Sequence, residues 1–395
     1  MTKNALVAGV GMVPFTKPGK SLSWDEMGAE AARRAIADVG IDYREIGQAY
    51  VGYVYGDSTS GQSALYEVGL SGIPVVNVNN NCSTGSTALF LARQAVESGI
   101  VDVALAVGFE QMNPGALGAS FQDRKRVMGK FLAPMRACQD HDPNAPNAAQ
   151  YFGGAGREYQ ERYGAESKTF GRIAEKARKH AANNPFAVFR DPLTLDEIMQ
   201  SPHIYGPLTR FQCCPPTCGG AAAIVVSRDF ARRKGLTGLV EIAGQAMTTD
   251  TASTFDPPSM IKLIGYDMSR FAADKVYEQA AVGPDDIQVV ELHDCFTANE
   301  LLSYEALRLC PEGGAEQYIV DGQNTYGGKH VTNPSGGLLS KGHPLGATGL
   351  AQCYELVHQI RGTAEKRQVD GARHALQHNL GLGGACVVTL YRSAA

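Results

Sequence analysis

Residues 77–95 read N-V-N-N-N-C-S-T-G-S-T-A-L-F-L-A-R-Q-A. The stretch opens on the end of an apolar run, crosses a cluster of asparagines, and continues with Ala88, Leu89, Ala92 and Ala95 at helical spacing. Strand, turn and helix in that order place Cys82 at the joint. A cysteine is most often a small buried hydrophobe. The Asn, Ser, Thr and Gly around Cys82 are poor core material, however, and glycine lets backbone approach a ligand closely. That company favours a nucleophile. At the start of a helix, free N–H groups and the positive end of the dipole stabilise an anion, so a thiol of unperturbed pKa ~8.5 is expected to shift toward thiolate.

The same pattern occurs twice. From Cys82 the chain reads C-S-T-G-S-T-A-L and from His343 it reads H-P-L-G-A-T-G-L, so Gly85, Thr87 and Leu89 match Gly346, Thr348 and Leu350. A second pair lies upstream in the same order, A-A-R-R-A-I-A-D-V-G-I-D-Y-R-E-I-G-Q-A-Y-V (31–51) and A-A-D-K-V-Y-E-Q-A-A-V-G-P-D-D-I-Q-V-V-E-L (272–292). Two ordered pairs argue for a duplicated α/β unit, in which strands alternating with helices build parallel βαβ sheets. The halves differ in one place: the apolar runs at 103–109 and 221–227 are widely separated, whereas their counterparts near the C-terminus are nearly adjacent. The expected division is therefore 1–109 with 220–245 as one half, 110–219 as an inserted loop domain, and 246–395 as the other half. A long excursion of this kind usually covers a site.

Equivalent positions in packed halves face one another across a pseudo-dyad, which makes Cys82 and His343 two ends of one site. An imidazole there activates the thiol further, and Pro344 suits the first turn of a helix. V-V-E-L-H-D-C-F (289–296) is again a strand running into a turn and sets His293, Asp294 and Cys295 side by side; Cys295 is a candidate second thiol, and His293 either joins the site or caps a loop. Q-H-N-L-G-L-G-G-A (377–385) offers backbone N–H groups with little side chain in the way, either an oxyanion cradle or a tight strand connection. In Q-C-C-P-P-T-C-G-G (212–220), Cys213, Cys214 and Cys218 lack the spacing and histidines of a zinc site. G-V-G-M-V-P (9–14) lacks the third glycine of a dinucleotide fingerprint. Cys310, Cys353, Cys386, His330, His358 and His374 read as core.

The 395 residues suggest more than one domain, and a net charge of −4 with dispersed Lys and Arg argues against nucleic acid as a partner. Nine irregularly spaced cysteines without a secretory leader read as reduced thiols, implying a cytoplasmic setting. No run reaches the ~18 apolar residues of a membrane span. Before the repeat is recognised, a Cys/His protease is the competing reading.

With these segments in place the chain resembles the thiolases, and more narrowly the sterol carrier protein X type. The likeness runs from G-Y-V-Y-G-D-S-T-S-G-Q (52–62) through N-V-N-N-N-C-S-T-G-S-T, V-E-L-H-D-C-F, L-C-P-E-G-G, N-T-Y-G-G-K and N-P-S-G-G-L-L-S-K-G-H-P-L-G-A-T-G to L-Q-H-N-L-G-L-G-G-A. The resemblance implies a five-layered α/β/α/β/α fold of two duplicated halves with a loop domain, a homodimer or dimer of dimers, acyl-CoA substrates, coenzyme A as co-substrate and no tightly bound cofactor or metal. It implies Cys82 as nucleophile, His343 as its base, Cys295 as second thiol, His293 at the enolate oxygen, the N–H groups of Cys82 and Gly381 as oxyanion donors, and Asn379 and Gly383 as site-shaping residues. Most thiolases carry N-E-A-F where this chain has His293–Phe296, and C-x-G where it has Asn379–Gly381, so the second cysteine has moved to Cys295. Sister aldolases have lost the reactive thiols. A Claisen-condensing enzyme and a non-catalytic lipid-binding subunit are the alternatives. Gly219 stands where the family usually has Asp.

Overall fold

The structure, a computed structural model, describes residues 5–115, 118 and 123–394. In chain order its strands are β1 (Leu6–Met12), β2 (Gln48–Gly52), β3 (Val75–Val78), β4 (Val103–Glu110), β5 (His203–Tyr205), β6 (Leu208–Thr209), β7 (Gly219–Val226), β8 (Val240–Thr248), β9 (Val289–Glu291), β10 (Val331–Thr332), β11 (His374–Gly381) and β12 (Ala385–Ser393). Strands β5 and β6 pair as a separate hairpin; the others run in the order β10-β9-β11-β12-β8-β1-β7-β4-β2-β3.

That order contains the duplication. β1 is antiparallel to β7, β7 is antiparallel to β4, and β4, β2 and β3 are parallel. β8, β12, β11, β9 and β10 repeat these senses one for one. The halves meet at a thin seam, Leu6↔Glu241 and Val7↔Val240. The expected boundary at 245/246 falls inside β8, a strand paired from Val240 to Thr248 with β12.

Helices Thr84–Glu97 and Thr348–Arg361 fill the space between the two halves of the sheet, packing with Ala106, Ala223, Ala375 and Tyr391 into one dry core. Helix Trp24–Val39 covers the outer face of β1 and β7, and helix Tyr266–Ala280 that of β8 and β12. The result is the five-layered α/β/α/β/α arrangement. Strands covered on both faces read as continuous apolar runs, and β4 and β7 are buried from end to end for that reason.

Glycine lets the two central helices meet at their N-terminal ends. A Cβ on Gly85 would lie 2.7 Å from the Gly346 carbonyl oxygen, and one on Gly349 would lie 2.3 Å from the Ser86 nitrogen. These contacts are possible only without side chains at Gly85 and Gly349; Gly346 is glycine because a Cβ there would lie 2.3 Å from the Phe109 carbonyl oxygen and 2.7 Å from that of Gly52. Gly219 has a separate reason: a Cβ there would sit 2.2 Å from the Phe15 ring.

Between β4 and β7 the described chain forms helices Gly129–Cys138, Asn147–Tyr163, Ser167–Ala181 and Leu195–Met199 with the β5–β6 hairpin. Phe131, Tyr151, Phe152 and Phe170 from this region share a core with Leu292, Ala298 and Leu301. No helix among the described residues is long and apolar enough to cross a membrane.

Candidate active site

The asparagine cluster folds into a closed turn. Asn80 N–H donates to Thr84 Oγ1 at 2.8 Å, and Ser83 Oγ and Thr84 Oγ1 donate back to the Asn80 and Asn81 carbonyls. Asn81 takes a φ of 51°, a left-handed conformation that asparagine tolerates better than most residues. Cys82 follows it, two residues before the helix begins at Thr84, and is 8 % exposed. Its thiol lies 3.6 Å from Asn81 Oδ1 as a donor.

His343 sits five residues before helix Thr348–Arg361, not in its first turn, and Pro344 precedes the helix as well. Its backbone N–H donates to Thr217 Oγ1 at 2.5 Å, and Pro216 bridges to it, so the end of the inserted region anchors this histidine. The same segment holds the second thiol: Cys214 N–H donates to the Cys295 carbonyl at 2.9 Å, and Cys213 bridges Phe296.

Folding brings the candidates together. The Cys82 sulfur and a ring nitrogen from each of His293 and His343 lie within 4.8 Å of one another, and the two imidazoles meet edge to face at 5.0 Å. Cys295, also buried, lies close enough to Cys214 and Cys82 for a charge on either to raise its thiol, on top of the larger effect of burial. Asn379 spans the site, donating to the Cys82 carbonyl at 3.1 Å and to His293 Nδ1 at 3.0 Å. Among the described residues Cys82, His293 and His343 also form the set with ion-holding spacing.

Hydrogen bonding sets the His343 tautomer. Thr348 Oγ1 donates to the Pro344 carbonyl at 3.0 Å, so it accepts from His343 Nδ1 at 2.7 Å. The proton therefore resides on Nδ1, and Nε2, buried without a partner, is left as a bare lone pair.

Burial overrides the expected helix-terminus effect. Desolvation, helped by the Glu110 charge, pushes the Cys82 thiol up to about 12, against the pull of the Cys82 and Leu382 N–H groups. Burial likewise pushes His343 down to about 3. His293 falls well below its ordinary value through burial and the nearby His343 and His378. The resting site is a neutral thiol facing neutral imidazoles, not the thiolate expected from Cys82's position.

Two further placements differ from the sequence reading. Asp294 turns away from its neighbours His293 and Cys295, accepting from Leu338 N–H at 2.6 Å and Leu339 N–H at 3.4 Å in the short helix Gly337–Ser340. Of the glycine-rich turn, the N–H groups against the Cys82 sulfur include that of Leu382, while Gly381 permits close packing: a Cβ there would lie 2.2 Å from the Asn80 carbonyl oxygen. Gly383 carries a φ of 105° at the same turn. Sequence reading missed Cys214 and Glu110. Glu110 accepts from Val54, Tyr55 and Gly346 N–H, each at 3.0 Å, and so ties the end of β4 to the turn before the second central helix. Burial pushes its carboxyl up to about 7.

Residues 5–205 match the "Thiolase, N-terminal domain" family and residues 251–391 the "Thiolase C-terminal domain-like" family. The chain is 54 % identical to "Sterol carrier protein 2" of Rattus norvegicus, over 98 % of this chain and 71 % of that one. It superposes on the "Ltp2-ChsH2(DUF35) aldolase" with a TM-score of 0.83 and 27 % identity, covering 99 % of this chain and 98 % of the other. Human mitochondrial 3-ketoacyl-CoA thiolase in complex with CoA shares the fold, with a TM-score of 0.74 at 17 % identity over 100 % of this chain and 99 % of that one. With both family halves matched in order, and more than half of the aligned positions shared with a relative over 98 % of this chain, the chain belongs to the thiolase family, whose members are generally acyltransferases.

Proposed function

We propose that the protein cleaves 3-oxoacyl-CoA thiolytically through an acyl-enzyme on Cys82. The observation that carries this reading is the approach of the Cys82 sulfur and the two imidazoles to within 4.8 Å, with a second buried thiol, Cys295, within electrostatic reach of Cys82. Cys82 loses its proton to His343 Nε2, whose lone pair is free to take it, and the thiolate attacks the 3-keto carbon. Collapse of the tetrahedral oxyanion breaks the Cα–Cβ bond. The electron pair leaves as the enolate of acetyl-CoA or propionyl-CoA, its oxygen facing His293 and His343, and the Cys295 thiol protonates the enolate carbon; the shortened acyl group stays on Cys82. Coenzyme A then yields its proton to the Cys295 thiolate and attacks the acyl-Cys82 thioester. Cys82 departs and recovers its proton from His343.

Generating a thiolate from so raised a thiol only when substrate displaces water is consistent with catalysis in a dry site, where oriented donors act most strongly. Backbone N–H groups of Cys82 and of the 381–382 turn are the oxyanion donors in this scheme. The likeness to an aldolase structure supports a second reading, aldol-type cleavage without an acyl-enzyme. Retention of both Cys82 and Cys295 favours thiolysis, since only thiolysis uses a covalent thiol and a second proton carrier. A homodimer is part of the proposal: β3 is an edge strand with Val76 turned outward, a surface a second copy can cover. The test is intact-mass analysis after mixing with a 3-oxoacyl-CoA. An acyl adduct on the native chain that is absent in Cys82→Ala supports the reading; cleavage at the native rate by Cys82→Ala would overturn it.

A further inference from the structure

A directed chain of buried hydrogen bonds runs from the core between the two halves of the sheet to His293. It begins at Tyr391 on β12, whose hydroxyl donates to Gln377 Oε1 on β11. Gln377 Nε2 donates to the Gly349 carbonyl at 2.7 Å and to Ser86 Oγ at 2.8 Å. Ser86 Oγ donates to Asn379 Oδ1 at 2.8 Å. Asn379 Nδ2 donates to the Cys82 carbonyl at 3.1 Å and to His293 Nδ1 at 3.0 Å. All five side chains are buried, so no solvent competes for these groups.

The direction of the chain does not depend on how the two amides are drawn. A backbone carbonyl can only accept, and each amide has one nitrogen and one oxygen end. The Gly349 carbonyl requires the nitrogen of Gln377 beside it, which leaves Gln377 oxygen toward Tyr391. The Cys82 carbonyl requires the nitrogen of Asn379, which leaves Asn379 oxygen toward Ser86. Ser86 accepts from Gln377 and spends its single proton on Asn379. The second Asn379 N–H then points at His293 Nδ1, which must be bare, and the ring's proton stays on Nε2. Thr348 imposes the opposite tautomer on His343. Two neutral imidazoles thus stand in one site with opposite assignments, one a base and one a donor.

We infer that Ser86, Gln377 and Tyr391 are positioning residues that hold Asn379 in one orientation and thereby keep His293 as the Nε2–H donor. Ser86 comes from the first half of the chain and the other two from the second, so the chain of bonds also locks the halves in the register the site needs. The kinetic side of this inference rests on the acyl-enzyme reading above; the tautomer does not.

The experiment is selective histidine 15N labelling of the full-length protein, with 15N shifts and one-bond and two-bond couplings assigned by a His293→Gln control. The native protein should show His293 as a single Nε2–H species across neutral pH. In Ser86→Ala, which removes one oxygen, Asn379 loses its donor and the His293 signals should move toward a mixture of tautomers, with kcat for 3-oxoacyl-CoA cleavage falling ~10- to 100-fold and KM little changed, as for other outer residues that orient a reactive one. Tyr391→Phe should shift the same signals less, and Ser86→Thr, retaining the hydroxyl, should restore them toward native. A native His293 carrying its proton on Nδ1, or unchanged His293 signals in both Ser86→Ala and Tyr391→Phe, would overturn the inference. Were the native protein to form no acyl-enzyme while Ser86→Ala still shifted the His293 signals, the catalytic reading would fall and the positioning chain would stand.

Discussion

His343 Nδ1 and Thr348 Oγ1 lie 2.7 Å apart, and because the threonine proton is already given to the Pro344 carbonyl, the histidine must be the donor. Six residues of sequence thus contain both the proposed base and the device that aims its lone pair. Removing the base by His343→Ala should slow acylation of Cys82 ~10²- to 10⁴-fold, the usual worth of a positioned general base. Thr348→Val keeps the shape and removes the acceptor, and should retain an intermediate rate. Single-turnover acylation followed by quenched-flow mass analysis checks both; equal rates in Thr348→Val and native protein would show that the tautomer is set elsewhere.

The pH dependence of the free enzyme follows from burial. With the Cys82 thiol raised to about 12 and His343 lowered to about 3, no resting ion pair forms near neutral pH. Alkylation of Cys82 by iodoacetamide should therefore rise roughly tenfold per pH unit through the alkaline range, tracking a small thiolate fraction. A plateau at neutral pH, read from peptide mapping of the alkylated site, would reveal a thiolate–imidazolium pair instead.

Cys295 has a different signature. If it carries the proton to and from the enolate carbon, Cys295→Ser should still acquire an acyl group on Cys82 from an acyl-CoA, yet exchange of the acetyl-CoA α-protons with deuterium should drop below detection. Proton NMR in deuterium oxide distinguishes the two steps. Exchange at the native rate in the serine variant would assign the role to another group, with Cys214 the nearest thiol to consider.

Glu110 offers a prediction about stability. Its carboxylate oxygens accept three backbone N–H groups, and an amide supplies only one oxygen, so Glu110→Gln sets an N–H against an N–H. The variant should lose ~1–3 kcal/mol in urea denaturation, the range for an unsatisfied buried polar group. The native carboxyl is raised to about 7 from 4.5, so its folded form holds the proton that the unfolded chain releases. The stability this contributes is complete below about pH 4.5 and is lost as pH rises through 7. The native-minus-variant difference should shrink over that window, measured by parallel melts at several pH values.

Gly381→Ala tests the glycine-rich turn. The added methyl would lie 2.2 Å from the Asn80 carbonyl oxygen and 2.8 Å from Ser83 Oγ, and the first of these is main chain that cannot swing aside. Overpacking of this kind costs ~1–3 kcal/mol, and relief requires the turn to withdraw from Cys82. Activity should fall further than stability does. A fully active Gly381→Ala would place the turn outside the chemistry.

The duplication could be read from the sequence because both copies keep glycine where the helices meet and apolar residues at the same helical spacing. Cys82 and His343 were legible as equivalents for that reason, and His293 and Cys295 because reactive side chains stand together after a buried strand. Their grouping misled in one respect: the chain turns at His293, where Asp294 N–H donates to the Leu292 carbonyl at 3.1 Å, so Asp294 faces the short helix Gly337–Ser340 while its neighbours belong to the site. Cys214 and Glu110 escaped notice because their partners, Cys295 and Gly346, are far along the chain and no local spacing announces the pairing. The thiolate expectation failed because proximity to a helix start is visible in sequence whereas desolvation is a property of everything packed around the thiol.

The meeting of Gly85 with Gly346 and of Gly349 with Ser86 has one more consequence. In the proposed reaction, the gap across which the proton passes from Cys82 to His343 is gauged by main chain resting on main chain, not by flexible side groups, so its length is insensitive to ordinary variation in the surrounding layers. A single methyl at that contact would pry the paired ends apart and lengthen the jump for every catalytic cycle at once.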